Sequence, residues 1–310
     1  MSGILGKTVA VTRFNVSVPP EGPDFERARF WEIEPGSEVR ERMGFVPFEL
    51  DAPWEAAQGR YVFRMRIDRI RPDATAVKER IRELIKVEME ATGRSFVGPK
   101  TRKKLRELAE VESTLGQRPK TTIVEAVIDG ALLYVGSTSK SHLGLVATLL
   151  RQAGVEAELK APWLDIAPEA EESSDIVLPR SPGESVLGCR FMRFLLEDPE
   201  VMVEPEAGMV KLATREGRVS LSGSVLNDLH RYLDDGAEIL AAKIHVGVIP
   251  IRFESVSYRF TARLEPPRAD HWMVALDDRL EQLAGLYQAL DAKYERFAQG
   301  QAASPVEGAL

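Results

Sequence analysis

"KTTIVEAVIDGALLYVGSTSKSHLGLVATLLRQAG", Lys120 to Gly154, contains two different periods. Its first half is β-branched on either side of Asp129-Gly130, a pair favoured in two-residue turns, so it reads as a hairpin. From Ser139 or Ser141, either of which can cap a helix N-terminus, apolar residues recur at helical spacing until Gly154. A hairpin feeding an amphipathic helix is the signature of an α+β protein.

The same alternation of signals extends upstream. Lys7 to Val18 is a β-rich run closed by "PPEGP", and a short helix is expected from Asp24. "RMGFVPFE" reads as a compact turn around Gly44 and Pro47. "RYVFRMRIDRIRP" follows as a strand with Tyr61, Phe63, Met65 and Ile67 on one face and Arg64, Arg66 and Asp68 on the other. Pro72-Asp73 opens a helix to about Thr92, ended by Gly93, with Val77, Ile81, Leu84 and Ile85 as its apolar stripe. A second helix follows Pro99, and Leu105, Leu108, Val111 and Leu115 form its expected buried side.

Downstream, Ala161 to Glu184 is rich in Pro, Ser and Glu and reads as a connection. Beyond it the pattern predicts a helix over "ESVLGCRFMRFLLED" and strands around Val210 and Val219. A helix over "SGSVLNDLHRYLDDG" follows, then long strands at Glu238–Val248 and Ile251–Leu264. A final helix starts near Asp270. The expected organisation is an N-terminal half over 1–160, the connection over 161–184, a C-terminal half over 185–298 and a disordered tail over 299–310. Each half mixes antiparallel strand pairs with amphipathic helices.

The 310 residues are 44% apolar and 29% charged, ordinary for a globular protein, with a net charge of −7. A single cysteine, Cys189, excludes an intrachain disulfide and a multi-cysteine metal site. With no signal-peptide pattern at the start and no unbroken apolar run of about 18 residues, a cytoplasmic protein without a membrane span is expected.

Charge is segregated along the chain. Arg60 to Arg106 carries fifteen cations against six carboxylates, a net +9, whereas Glu156 to Glu206 carries four against thirteen, a net −9. Lys78, Arg82 and Lys86 recur every four residues and form one helical ridge; Arg102 and Arg106 repeat that spacing, with Lys100, Lys103 and Lys104 beside them. Arg64 and Arg66 share a strand face. Regularly spaced cations on several elements suit the neutralisation of phosphates without base reading. Glu79 and Glu83 can pair locally, so a solvated helical face is the alternative that charge alone leaves open.

No sequence motif indicates a cofactor, a metal or a catalytic centre. His142, His230, His245 and His271 are scattered, and no phosphate loop or nucleophile elbow is present. The acids of "PEAEESSD" and "NDLHRYLDD" are read as solvated surface rather than as a metal nuclease centre, which needs carboxylates held rigidly around two ions. Cys189, among apolar neighbours, is expected to be buried.

Taken in order, several pieces resemble the bacterial recombination-associated protein RdgC family over most of the chain. "MGFVPFE" is similar to its Gly-Trp-Val-Pro turn, with Phe45 in place of the tryptophan. "RPDATAVKERIRELIKVEMEATGRSFVGPKTRKKLREL" is similar to its long helix, Gly-Arg connection and lysine-rich second helix. "EAVIDGALLYVGSTSKSHLGLVATLLRQAG" and "MVKLATREGRVSLSGSVLNDLHRYLDDGAEILAAKIHV" match later parts, with Val127 replacing a tryptophan and Ala237 a lysine.

The resemblance implies a ring-shaped homodimer that binds double-stranded DNA without sequence preference, associates with the nucleoid and restrains the RecA recombinase through the DNA. It adds Arg215, Arg218 and Lys243 as contacts from a second basic region. A metal-dependent exonuclease and a protein adaptor without DNA binding are the alternatives.

Overall fold

Thr8–Ser17 forms strand β1, on which three other strands pair. Thr8 to Val11 pair antiparallel with Arg259–Arg263, Thr12 to Asn15 with Leu132–Val135, and Phe14 to Ser17 with Glu156–Leu159. The computed structural model describes residues 3–34, 36–37, 39–57, 59–115, 117–166, 174–203, 208–223, 228–269 and 271–302. The protein is α+β, with a large antiparallel sheet and seven α-helices among the described residues.

The chain divides into two compact units that are discontinuous in sequence. The larger comprises Met1–Asp24, Pro47–Phe63 and Val124–Leu310; the smaller comprises Phe25–Val46 and Arg64–Ile123. This grouping cuts across the 1–160 and 185–298 halves expected from composition.

Within the larger unit the strands are β3 (Glu55–Ala57), the start of β4 (Arg60–Arg69), the end of β5 (Lys120–Asp129), β6 (Leu132–Val135) and β7 (Glu156–Leu159). They continue with β8 (Val201–Val203), β9 (Met209–Ala213), β10 (Arg218–Ser222), β11 (Glu238–Val246), β12 (Ile249–Glu254) and β13 (Arg259–Arg263). Their main order is β10-β9-β11-β12-β13-β1-β6-β5. The helices are α3 (Lys140–Gln152), α4 (Pro162–Asp165), α5 (Leu187–Glu197), α6 (Leu229–Asp234) and α7 (Trp272–Ala302).

Period-two alternation sends Val9, Val11, Val210, Leu212, Ile244, Ile251, Phe253, Phe260 and Ala262 to one face of this sheet, where all are buried. Helices α5 and α7 cover that face. Phe191 of α5 is the central ring, 5.1 Å from Tyr294, 5.8 Å from Phe297 and 6.3 Å from Phe253, centroid to centroid. Burying such a ring contributes about 1.5–3 kcal/mol. Arg13 of β1 reaches α7, donating to both Asp291 oxygens at 2.9 and 3.0 Å and stacking 4.2 Å above the Tyr287 ring. Tyr258 donates to the same carboxylate at 2.7 Å.

The smaller unit holds a 3₁₀ turn (Phe25–Ala28), most of β2 (Glu41–Pro47), the rest of β4 and β5, and a helical hairpin of α1 (Ala74–Thr92) and α2 (Pro99–Thr114). Asp73 caps α1, accepting from the Thr75 and Ala76 amides, and Gly93 follows its last residue. Pro99 opens α2.

Several expectations are corrected. Arg42 to Pro47 of "RMGFVPFE" are strand, not turn: Gly44 lies in β2 because the Phe30 backbone packs against it, leaving 2.5 Å to any Cβ. The helix from Asp24 shrinks to the 3₁₀ turn, since the next residues run extended and the Phe30 amide donates to the Phe45 carbonyl. The hairpin loop is Gly130-Ala131 with Asp129 paired to Leu132, and Gly130 takes φ 60°, a conformation that favours glycine. The strand expected over Ile251–Leu264 breaks at Ser255–Tyr258 into β12 and β13. Ser255 there turns its hydroxyl to the Ile239 carbonyl at 2.5 Å.

The segment read as a connection packs in part. Trp163 is buried edge-on to Tyr258 and donates to the Gly183 carbonyl at 2.8 Å. Residues 167–173 lie outside the described residues, as do 224–227 of the expected helix before Gly236, of which Leu229–Asp234 is helical. Helix α7 runs on to Ala302, so 299–302 of the expected tail are helical; 303–310 lie outside the described residues. On α2 the expected buried side is only partly covered: Leu105 is half-buried, while Leu108, Val111 and Leu115 are exposed and Ala109 is the buried residue.

Candidate nucleic-acid interface

Helices α1 and α2 lie side by side because the chain between them, from Gly93 to Gly98, is short and Arg80 of α1 binds Glu112 of α2. The Arg80 Nε donates to Glu112 at 2.6 Å, and its Nη1 donates to Glu83 at 2.8 Å. The Glu112 hydrogen bond, more than Glu83, holds the Arg80 proton above its usual range. The same bond holds the Glu112 carboxyl below the ordinary carboxylate range.

Between the helices runs a groove of about 900 Å³ with Val77, Ile81 and Ile85 along its base. Its walls carry Lys78 and Arg82 from α1 and Arg102, Lys103 and Arg106 from α2, all exposed at their ends. Two of the five are partly matched on their own helix: Arg106 donates to Glu110 at 3.0 Å, and Lys103 lies 3.9 Å from Glu107. Lys78, Arg82 and Arg102 make no ion pair among the described residues. Exposed pairs at one helical turn contribute a few tenths of a kcal/mol and are easily exchanged for another anion.

Four cations of the basic segment serve the fold instead. Arg66 donates to Asp68 through two nitrogens, at 2.7 and 3.0 Å, and stacks 4.4 Å over the Phe30 ring. Burial alone would raise the Asp68 carboxyl, but hydrogen bonds from Arg66 and from Thr121, at 2.8 Å, hold it below its usual range. Arg60 is tied to Asp129 at 2.9 Å and also to Asp277; Arg69 donates to Glu41 at 2.8 Å. Arg80 closes the helical hairpin.

The remaining expected contacts fall elsewhere. Lys86, Lys100 and Lys104 are exposed on α1 and α2 outside the groove lining. Arg64 is half-buried on β4. In the larger unit, Arg215 and Arg218 flank a second groove at the β9–β10 turn, where Arg215 donates to Asp175 at 2.8 Å. Lys243 stands opposite Arg252 on β11 and β12.

Arg231 of the second groove, and Lys211 and Arg252 of the sheet, were not singled out by sequence reasoning. Each cation of the last two sits between two apolar residues, "VKL" and "IRF", and that alternation was the available signal.

No protein-family model and no curated protein matches the chain. Among the described residues no helix is long and apolar enough to cross a membrane. Of the acids weighed for metal chemistry, Glu169, Glu171 and Glu172 lie outside the described residues. Cys189 is buried, and burial pushes its thiol up to about 12, so it stays protonated.

Proposed function

We propose that the protein binds double-stranded DNA without sequence preference, with the groove between α1 and α2 seating the sugar–phosphate backbone. The observation that carries this reading is the convergence of Lys78, Arg82, Arg102, Lys103 and Arg106, from two helices, on one groove. Along α1 the cations step by about 6 Å, four residues at roughly 1.5 Å each. Projected on the duplex axis, each step covers about two phosphates of one strand, which rise roughly 3.4 Å apiece. Flexible side chains of this kind meet backbone charge and carry no base code.

Lys86, Lys100 and Lys104 extend the cationic field, and Arg215, Arg218 and Lys243 supply contacts from the larger unit. In keeping with the family resemblance, the working form is a ring-shaped homodimer on the nucleoid. It restrains RecA-type recombination by occupying the duplex. No cofactor and no catalytic step enter this reading.

Titrating random-sequence duplexes at several salt concentrations tests it. The expected log–log slope is roughly −0.9 per phosphate neutralised, so affinity falls steeply with salt. Exchanging Lys78, Arg82 and Arg102 together for Glu is expected to abolish the complex while leaving the melting temperature in place. A salt-independent complex, or one that survives the triple exchange, removes the proposal.

A further inference from the structure

The outer face of the larger unit's sheet, opposite α5 and α7, follows from the strand registers. Lys211 stands opposite Ser220 and Ala241, Ala241 opposite Glu254, and Glu254 opposite Arg259. Arg218 and Arg252, two residues from Ser220 and Glu254, share that face. The 178–184 segment passes over it, and Leu178 and Pro179 wall a cavity of about 280 Å³ whose lining includes Lys211, Arg218, Arg252 and Arg259.

Charge in this cavity is unbalanced. Its two carboxylates are already matched: Glu184 accepts from Lys140 at 2.7 Å, and Glu254 accepts from Arg259 at 2.8 Å. Arg252 reaches Glu254 only at 3.9 Å, and its Nε is buried without a hydrogen-bond partner. Lys211 and Arg218 make no ion pair among the described residues. Lys211, Arg218 and the partly exposed Arg252 thus line the cavity with charge that no carboxylate among the described residues answers at hydrogen-bond distance.

We propose that this cavity binds a small phosphorylated molecule. A phosphate monoester brings a charge of about −1.5 to −2 and three acceptor oxygens, enough for Lys211, Arg218 and Arg252 together; a carboxylate would answer only one of them. Guanidinium forks match phosphate oxygens in pairs. Lys211 on β9 stands between Arg218 on the adjacent β10 and Arg252 on β12, two strands away; at about 4.8 Å per strand the two arginines begin roughly 14 Å apart across the sheet, and their long side chains approach the lysine from either side. The volume lies near the lower end of small-molecule sites, roughly 300–1,000 Å³, and Leu178, Pro179 and Val256 offer an apolar wall for the organic part.

The inference does not rest on DNA binding by the helical groove. Arg218 is common to both readings, so the diagnostic variants are placed at Lys211 and Arg252. Calorimetric titration of the full chain with pyrophosphate and with AMP is expected to show saturable binding at one site per chain, and none with adenosine. K211E and R252Q are each expected to weaken AMP binding about tenfold or more. The K78E/R82E/R102E variant is expected to bind AMP as the parent does. Absence of saturable binding by both phosphorylated probes overturns the proposal. So does equal binding of adenosine, AMP binding unchanged in K211E, or AMP binding lost in the helical variant. Lys211 is half-exposed, so K211E keeps the test decisive should R252Q fail to fold.

Discussion

The nineteen residues of α1 bury one side chain, Val77, and the sixteen of α2 bury one, Ala109, whereas the eleven of α5 bury six residues. All three helices are amphipathic in sequence. Helix α5 sets its apolar stripe into a core of aromatic rings; the helical hairpin leaves Leu108, Val111 and Phe96 exposed and spends its polar face on cations. Stability is therefore concentrated in the larger unit, and the hairpin is held by few buried contacts and by ion pairs. Segments of that kind open locally at low free-energy cost.

The comparison breaks most visibly at Phe191. Truncation to Ala is expected to cost about 3–5 kcal/mol, read as a drop in the urea midpoint of global unfolding. A loss below 1 kcal/mol would mean that α5 is not the keystone of the core. Next comes Asp291, which accepts from both Arg13 and Tyr258. Asp291→Ala leaves the Arg13 guanidinium, 5% exposed, without its counter-charge and is expected to cost about 3 kcal/mol in the same measurement.

Smaller effects belong to the other unit. Asp73→Ala removes the α1 cap and is expected to cost about 1 kcal/mol, seen as faster amide exchange in the first turn of α1 with the global midpoint unchanged. Asp68 gives a pH signature. Its folded pKa lies below the unfolded value of about 3.9. Its contribution is thus complete above that pH and lost as pH falls through the lower folded value. Amide protection at β4 and β5, taken relative to the intrinsic exchange rate at each pH, is expected to fall below about pH 4 in the parent, and much less in Asp68→Asn. The smallest effect is expected at Arg80→Ala: quicker exchange along α1 and α2 and no shift of the melting temperature.

Local rules made much of the fold legible. The β5–β6 hairpin, the capped α1, the proline-led α2 and the long C-terminal helix follow from turn residues, caps and periodicity. What stayed hidden depended on distant partners. Gly44 looked like a turn residue because only the packed Phe30 backbone reveals why a strand needs glycine there. Leu108 and Val111 looked like core because a stripe does not announce whether anything covers it. At the site, helical spacing placed Lys78 and Arg82 together and Arg102 and Arg106 together. It could not say that Arg66 is consumed by Asp68, since that depends on burial of the carboxylate. Nor did it single out Lys211 and Arg252, which come to share one face of the sheet only through strand register.

Strand β1 also sets a timetable. Its second half can zip to β6 and β7 once the chain has been made to Leu159, but its first half waits for β13, near the other end of the sequence. Val9 and Val11 therefore remain uncovered on the nascent polypeptide through most of synthesis. Pairings so far apart in sequence close slowly, and such an interval is when chaperones or aggregation compete for the chain.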